Sequence, residues 1–265
     1  MARVCARPVV ILAASALLAL LSASCGGGGE PTPAPPLPNF GIPTPWPTLV
    51  PTVPPPTPVP VKGDMTKARV GHTATVLIDR RVMVTCGLDE TFSTSRRRGI
   101  SSTEIYDSAS GIWSAAGRMV EWRAAYTNTL LGDGRALVAG GWGVGYESSA
   151  EVFSPSSGTW SLTGEMATKR LRHTAVLLED GRVLVAVGRN EFRLAVPGTE
   201  IFDPALNTWS STGDMAEARF THGATLLQDG RELVAGGWAA MRASLSSAEI
   251  FDPDTDTWSP SGGAQ

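Results

Sequence analysis

Two stretches of the chain are almost identical: DGRALVAGGW at residues 133–142 and DGRELVAGGW at residues 229–238. Each begins with Asp-Gly, a pair that tolerates positive φ and is the strongest short-range signal of a two-residue hairpin turn. The letters after the turn are mostly apolar and end in Gly-Gly. Each stretch therefore predicts a β-hairpin turn followed by a buried strand.

The hairpin is part of a larger unit that occurs four times, with bounds at 63–116, 117–163, 164–212 and 213–261. Each unit reads as four strands: an apolar strand after an Arg, the strand after the turn, a third that opens near a Glu and a fourth centred on a Trp. Units of about 50 residues bury their faces by stacking on their neighbours. Because the repeats show no sustained helical periodicity, we predict an all-β fold.

The repeat resembles the kelch motif, in which Arg precedes the first strand, glycine ends the second and Trp marks the fourth. This resemblance covers residues 63–261 and implies a β-propeller related to the central domain of galactose oxidase, with one four-stranded antiparallel blade per repeat. Four blades are few for a propeller, and SPSGGAQ after the fourth Trp holds no strand that could complete the first blade. We therefore expect a four-blade propeller with incomplete closure, whose end blades invite self-association.

Residues that recur in every unit are assigned to the fold, since each blade needs them while a binding site needs its residue once. This test assigns the glycine that ends the second strand and the tryptophan of the fourth strand. They are Gly87, Gly141, Gly188, Gly237, Trp113, Trp160, Trp209 and Trp258. An Arg before the first strand and a Glu opening the third also recur, and we predict that they pair as struts within or between blades.

The histidines share one repeat position: His72, His173 and His222, with Tyr126 in the second unit. Three imidazoles around a propeller axis could bind zinc or copper. Kelch blades carry His at this position without metal, so we assign no metal and no cofactor. The copper site of galactose oxidase uses two Tyr and two His, with one Tyr crosslinked to a Cys. It does not carry over, because Tyr106 is a consensus aromatic of the repeat and Cys86 stands at the glycine position.

Features that occur only once cluster in the loops after the second strands, which a propeller presents on one face. Aromatic and Arg side chains are enriched in binding hot spots. The candidate ligand-binding residues are Trp142, Tyr146, Arg189, Phe192, Arg193, Trp238 and Arg242. The longest loop, 88–103, carries Arg96, Arg97 and Arg98, and Trp122 is expected on a different face.

The first sixty residues predict an exported and anchored protein. Arg3 and Arg7 precede an apolar run at 9–21, and the following LSASC ends at Cys25 and resembles the bacterial lipoprotein signal. We expect a signal peptide at 1–24, lipid on Cys25, and a membrane-anchored protein at the cell surface or in the periplasm. Residues 25–62, rich in Gly and then Pro, predict an extended stalk of at most about 100 Å.

Charge and cysteine content narrow the function further. A net charge of −3 without a basic stripe disfavours nucleic acid as a partner. With Cys5 removed and Cys25 lipidated, Cys86 remains the one thiol, so no disulfide framework is expected.

Three functions remain open. The first is a tethered binding or scaffold module for protein or glycan, and the second is a carbohydrate-active or oxidase-like enzyme of the galactose-oxidase-related kelch group. The third is a shortened propeller with no activity of its own. We find no nucleophile with a base, no carboxylate pair and no metal cluster outside the repeat pattern, so we assign no catalytic residue and favour binding.

Overall fold

A computed structural model describes residues 61–89, 99–239 and 243–262. All regular elements in these ranges are β-strands, which confirms the all-β prediction. The described part of the chain has no helix long and apolar enough to cross a membrane. The predicted signal peptide, Cys25, nearly all of the stalk, the three arginines of the longest loop and Arg242 lie outside the described residues.

The strands form four antiparallel sheets, which we call blades 1 to 4 in chain order. Blade 1 contains β1 (Val61–Lys62), β2 (Thr73–Val76), β3 (Val82–Thr85), β4 (Ser102–Asp107) and β5 (Ile112–Arg118). Blade 2 contains β6 (Thr127–Leu130), β7 (Ala136–Ala139), β8 (Ala150–Ser154) and β9 (Thr159–Leu162).

The remaining two blades repeat this order. Blade 3 contains β10 (Thr174–Leu177), β11 (Val183–Ala186), β12 (Thr199–Asp203) and β13 (Thr208–Ser211). Blade 4 contains β14 (Gly223–Leu226), β15 (Glu232–Ala235), β16 (Ala248–Asp252) and β17 (Thr257–Pro260). Blade 1 differs by one added strand, because β1 pairs with the outer strand β5.

The hairpin turn between the first two strands keeps one geometry in all blades. Gly134, Gly181 and Gly230 have φ of 87°, 86° and 82°, which the Asp-Gly signal predicted. Blade 1 has Arg80 in this place, and it adopts a φ of 68°. The turn therefore forms in blade 1 without glycine, at the cost of a left-handed arginine.

Each blade packs its face against the next blade in the chain. The inner strands β2, β6, β10 and β14 contact one another in that order. A phenylalanine of the third strand fills each of the three joints: Phe153, Phe202 and Phe251 are fully buried. These joints form the hydrophobic core, and their side chains come alternately from the two neighbouring blades.

Hydrogen bonds between blades also repeat at the three joints. The backbone N–H of Gly87 donates to the Arg123 carbonyl at 3.1 Å, and Gly141 and Gly188 donate to the corresponding arginines of blades 3 and 4. Between the described residues of blades 4 and 1, this set of bonds has no counterpart. The four-blade prediction is confirmed, and the described blades form a row with three packed joints.

Candidate functional site

The recurring Arg and Glu residues form buried ion pairs within each blade. The N–O distances are 2.5 Å for Arg69–Glu104, 3.1 Å for Arg123–Glu151, 2.5 Å for Arg170–Glu200 and 3.1 Å for Arg219–Glu249. Burial of Glu104 opposes its ionisation, but hydrogen bonds from Thr66 and Arg69 outweigh burial and lower its pKa. The predicted struts therefore lie within blades, where each guanidinium neutralises a carboxylate that would be costly to bury alone.

These ion pairs also hold the segment that leads into each first strand. The Glu151 carboxylate accepts the backbone N–H groups of Val120 and Glu121 at 2.8 and 3.3 Å. The Arg123 guanidinium donates to the carbonyls of Gly140 and Ser149, on either side of the following loop. Each Arg–Glu pair thus joins the two chain segments that border the loop after the second strand. The pairs fix the base of the face that these loops form, which we call the loop face.

One backbone position links the loops to the blades. It is filled by Leu88, Trp142, Arg189 and Trp238. Each makes an isolated bridge to the residue three positions before the first strand and another to a residue later in the loop. Sequence comparison placed Trp142 and Trp238 where the repeat ends. The structure shows instead that the backbone repeats here in all four blades while the side chain varies.

On blade 2 this position forms an aromatic pair. The rings of Trp142 and Trp122 meet edge to face, with centroids 5.3 Å apart at 90°. The expectation that Trp122 lies on a different face was wrong. The first two strands are antiparallel, so the start of the first lies beside the end of the second, and the two tryptophans meet at one end of the blade.

Blades 3 and 4 share a second group on the same end. The Arg189 guanidinium lies 5.5 Å from the ring centroid of Phe220 in the next blade, a cation–π contact. Phe220 is joined by a backbone bridge to Trp238, which is 41% exposed. Sequence reasoning missed Phe220, although its place before the first strand, like that of Trp122, could have indicated it.

The other predicted ligand-binding residues differ in exposure. Phe192 is 74% exposed at the tip of the third loop, and Arg193 beside it is exposed with a φ of 63°. Tyr146 is half-buried and bridges to Trp142. The candidate residues thus form two local groups, one on blade 2 and one across blades 3 and 4.

A carboxyl pair lies beside the aromatic pair, although sequence reasoning found none outside the repeat pattern. Burial raises the pKa of Glu147, and the neighbouring Glu121 carboxyl raises it further. Glu147 accepts the N–H of Gly145 at 3.3 Å, and Glu121 accepts the Ser149 hydroxyl at 3.4 Å. The two acids are 26 positions apart in sequence, and the antiparallel strands bring them together.

Two of the three histidines, His173 and His222, each join two neighbouring blades. His173 shares a hydrogen bond of 3.0 Å with the Thr127 hydroxyl of the preceding blade, and His222 one of 2.8 Å with Thr174. Burial lowers the pKa of His173 to about 3 and that of His222 to about 4, so both are neutral near pH 7. In the described ranges no three His, Cys, Asp or Glu side chains are grouped to hold a metal.

The glycine that ends each second strand is required by close packing. Gly141 has a φ of 99°, and a Cβ there would lie 2.7 Å from Cβ of Tyr126. Gly237 has a φ of 92°, and a Cβ would meet the Phe220 carbonyl at 2.8 Å and His222 at 2.9 Å. A side chain at either glycine would push the first strand away from the second.

Glu232 has no counterpart in the other blades and was not singled out from the sequence. It is fully buried, and neither carboxyl oxygen has a hydrogen-bond partner among the described residues. It pairs directly with Phe251, whose ring packs on Leu184 and Ile201 of blade 3. Because opposite residues of a strand pair share one face, Glu232 lies in the joint between blades 3 and 4. Burial raises its pKa to about 8.

An open cleft of about 550 Å³ lies at the hairpin end of blades 2 and 3, opposite the loop face. It is lined by the hairpin turns and by Asp203 and Pro204, and Arg135 donates from it to the Pro204 carbonyl at 2.8 Å. Arg135 pairs with Asp133 and Arg182 with Asp180, so both arginines of the cleft already have partners in the hairpin turns.

Comparison with known proteins supports the repeat assignment. Residues 229–262 match the Kelch motif, which spans the turn, the last three strands and the Trp of blade 4. A search of curated proteins found no match to the chain. The motif and the four antiparallel sheets together fit a kelch-repeat β-propeller, a type of module that generally mediates protein–protein interactions. The likeness to galactose oxidase stays a prediction.

Proposed function

We propose that this chain is a binding module that takes a protein or glycan ligand on the loop face and is tethered to a membrane through lipid on Cys25. The observation that carries the proposal is the backbone position shared by Leu88, Trp142, Arg189 and Trp238. A fixed backbone with a different side chain in most blades is how a repeat fold varies its recognition surface without changing its core.

The chemistry of this face suits a flat or extended ligand. Aromatic rings supply contact area at low entropic cost, and Arg supplies directed hydrogen bonds. Trp238 and Phe192 already expose apolar surface to solvent, at 41% and 74%. A protein segment or a sugar ring could stack on these side chains while its polar groups meet Arg193.

The test uses the full chain with Trp142→Ala and Trp238→Ala together, applied to an array of glycans and surface proteins. We expect binding to fall at least tenfold with the melting temperature little changed. Leu206→Ala is the matched control, because Leu206 is 71% exposed and lies at the opposite end of blade 3. Unchanged binding in the double variant would contradict the proposal, as would an equal loss in the control.

The tether has a separate test. Cells that express the full chain are labelled with a fatty acid, and the wild type should take up label and sediment with membranes. Cys25→Ser should lose both properties while the ligand is still bound. Label that survives in this variant would show that Cys25 carries no lipid.

The carboxyl pair on blade 2 is the observation that favours the second candidate, hydrolysis of a glycosidic bond. Such hydrolysis uses an acid with a raised pKa and a second carboxyl group about 5–9.5 Å away. The pKa of Glu147 is raised, and Glu121, which hydrogen-bonds to it, would have to move apart from it when a sugar enters. A panel of chromogenic glycosides tests this candidate. Turnover by the wild type that Glu147→Gln abolishes would support an enzyme, and binding without turnover would support the module.

A further inference from the structure

We propose that two copies of this chain join head to tail, with blade 4 of each copy packed on blade 1 of the other, so that eight blades close one ring. The proposal concerns the two ends of the row of blades and is independent of the loop face. We call the side of a blade that is turned toward the next blade its forward face, and the opposite side its rear face.

The forward face of blade 4 is apolar and lacks the cover that the other forward faces have. In blades 1 to 3, Met83, Leu137 and Leu184 fill one position of this face and are 0–1% exposed. The same position in blade 4 is Leu233, which is partly exposed. The pattern holds at further positions of blade 4, namely Leu227, Ala235, Ala248 and Ile250, which are partly or fully exposed although their counterparts are buried.

The rear face of blade 1 is open in the same way. Leu130, Leu177 and Leu226 occupy one position of the rear faces of blades 2 to 4, and each packs on the core of the preceding blade. Val76 holds this position in blade 1 and is 61% exposed. Tyr106 is half-buried, while the phenylalanines at its position in the other blades are fully buried.

Each end of the row also carries backbone donors and acceptors whose counterparts at the joints are hydrogen-bonded to the neighbouring blade. The Arg172 N–H donates to the Ala125 carbonyl at 3.2 Å, and the Thr221 N–H donates to the Arg172 carbonyl at 3.1 Å. The next carbonyl in this series belongs to Thr221, and Gly71 holds the equivalent position at the start of blade 1. The Gly188 N–H donates to the Arg219 carbonyl of the next blade at 2.9 Å. The repeat places the Gly237 N–H to donate in the same way to the Arg69 carbonyl of a second copy.

A second copy of the chain is the partner that these ends specify. The three internal joints show that a forward face of this repeat fits a rear face, both in apolar shape and in hydrogen bonds. Two different surfaces that meet form a head-to-tail interface, which closes only if the rotation completes a ring. Two copies would give eight blades, within the usual range for propellers, and would cover both open faces at once.

Crosslinking between two differently tagged full-length copies tests the register. One copy carries Thr221→Cys and the other Gly71→Cys, and Ala, Arg and Thr already tolerate a φ of 54–55° at this position in blades 2 to 4. A short bis-maleimide should link the two copies. As a positive control, Ala125→Cys with Arg172→Cys in one chain should link within that chain, and copies without added cysteines should not link.

The mass of the full chain in detergent, measured by sedimentation, tests the association itself. We expect two copies per particle, and we expect Val76→Asp to give single copies because it places a charge in the apolar contact. Val144→Asp is the matched control: Val144 is 92% exposed on the loop of blade 2, so the pair should persist. A wild type of single copies, or no Thr221–Gly71 link between the two tagged copies while the control link within one chain forms, would overturn the proposal.

Ligand binding separates this proposal from the preceding one. Trp142→Ala with Trp238→Ala should leave the mass of the particle at two copies. Val76→Asp should leave each single copy with its loop face intact. A failure of either proposal is therefore visible while the other still stands.

Discussion

The joint between blades 2 and 3 and the open ends of the row contain the same repeat positions in different surroundings. Phe202 at the joint is fully buried against blade 2, whereas Tyr106 at the same position faces no preceding blade among the described residues and is half-buried. Recurrence in the sequence thus shows which residues a blade uses for packing. Whether a given copy contributes to stability depends on the blade that lies against it.

The largest expected difference is at this aromatic position. Phe202→Ala should lower the free energy of unfolding by about 3–5 kcal/mol, because it leaves a cavity in a closed joint. Tyr106→Ala should cost only about 1 kcal/mol, since its ring contacts mainly Trp113, 4.9 Å away. Denaturant unfolding of the full chain, at a concentration low enough to give single copies, measures both losses. Equal losses would mean that the rear face of blade 1 is covered even in a single copy.

The joint between blades 3 and 4 differs from its neighbours by one buried carboxyl group. The pKa of Glu232 is raised from 4.5 to about 8, so the folded state binds its proton more tightly than the unfolded state does. Stability from this group is therefore present below about pH 4.5 and falls as pH rises towards 8. Glu232→Gln, which cannot ionise, should be more stable than the wild type by about 3 kcal/mol at pH 7.

The pH dependence of that difference is the decisive measurement. The advantage of Glu232→Gln should shrink towards zero as the pH falls to 4.5 and reach its full size above pH 8. Glu179→Gln serves as the control, because it makes the same substitution at an exposed glutamate. Parallel profiles for wild type and Glu232→Gln would show that the carboxyl is solvated.

The hydroxyl contacts between blades give a smaller contrast. Thr127→Val removes the partner of His173 Nε2 and leaves this nitrogen of a buried imidazole without a hydrogen bond, which should cost about 1–2 kcal/mol. In a single copy His72 is exposed at the open end, so His72→Ala should change the stability of single copies by less than about 0.5 kcal/mol. A large loss in single copies would indicate that another part of the same chain covers this end.

The repeat made the fold predictable from the sequence. Four aligned units gave the strands, the hairpin turns and the number of blades, because each position was observed in several copies. The turn at Arg80 shows the strength of this reasoning, since the repeat predicted a turn where the local letters alone did not.

The loop face was predictable only in part. Trp142 and Trp238 were found because they differ between copies, but Trp122, Phe220 and the Glu121–Glu147 pair depend on which strand ends meet in space. Glu232 was missed for another reason. Its position carries small apolar residues in the other blades, and a single carboxylate in a strand pattern looks like a solvent-facing residue until the neighbouring blade is present.

The smallest expected effect comes from a substitution that gives the open end of blade 4 the threonine hydroxyl that the joints already have. Thr73, Thr127 and Thr174 each offer a hydroxyl to the aromatic or His side chain of the next blade, but blade 4 has Gly223 at this position. No atom lies within 4 Å of a Cβ built on Gly223, so a threonine fits there.

Gly223→Thr should tighten the pairing of two copies by up to about fivefold, equivalent to about 1 kcal/mol, through a new bond to His72 of the second copy. Gly223→Val is the control for shape, because it gives the same gain in strand propensity without the hydroxyl. The difference between the two variants isolates the hydrogen bond across the ends. If both variants pair equally tightly, His72 does not meet residue 223 of a second copy, and the register that the internal joints suggest does not extend across the ends.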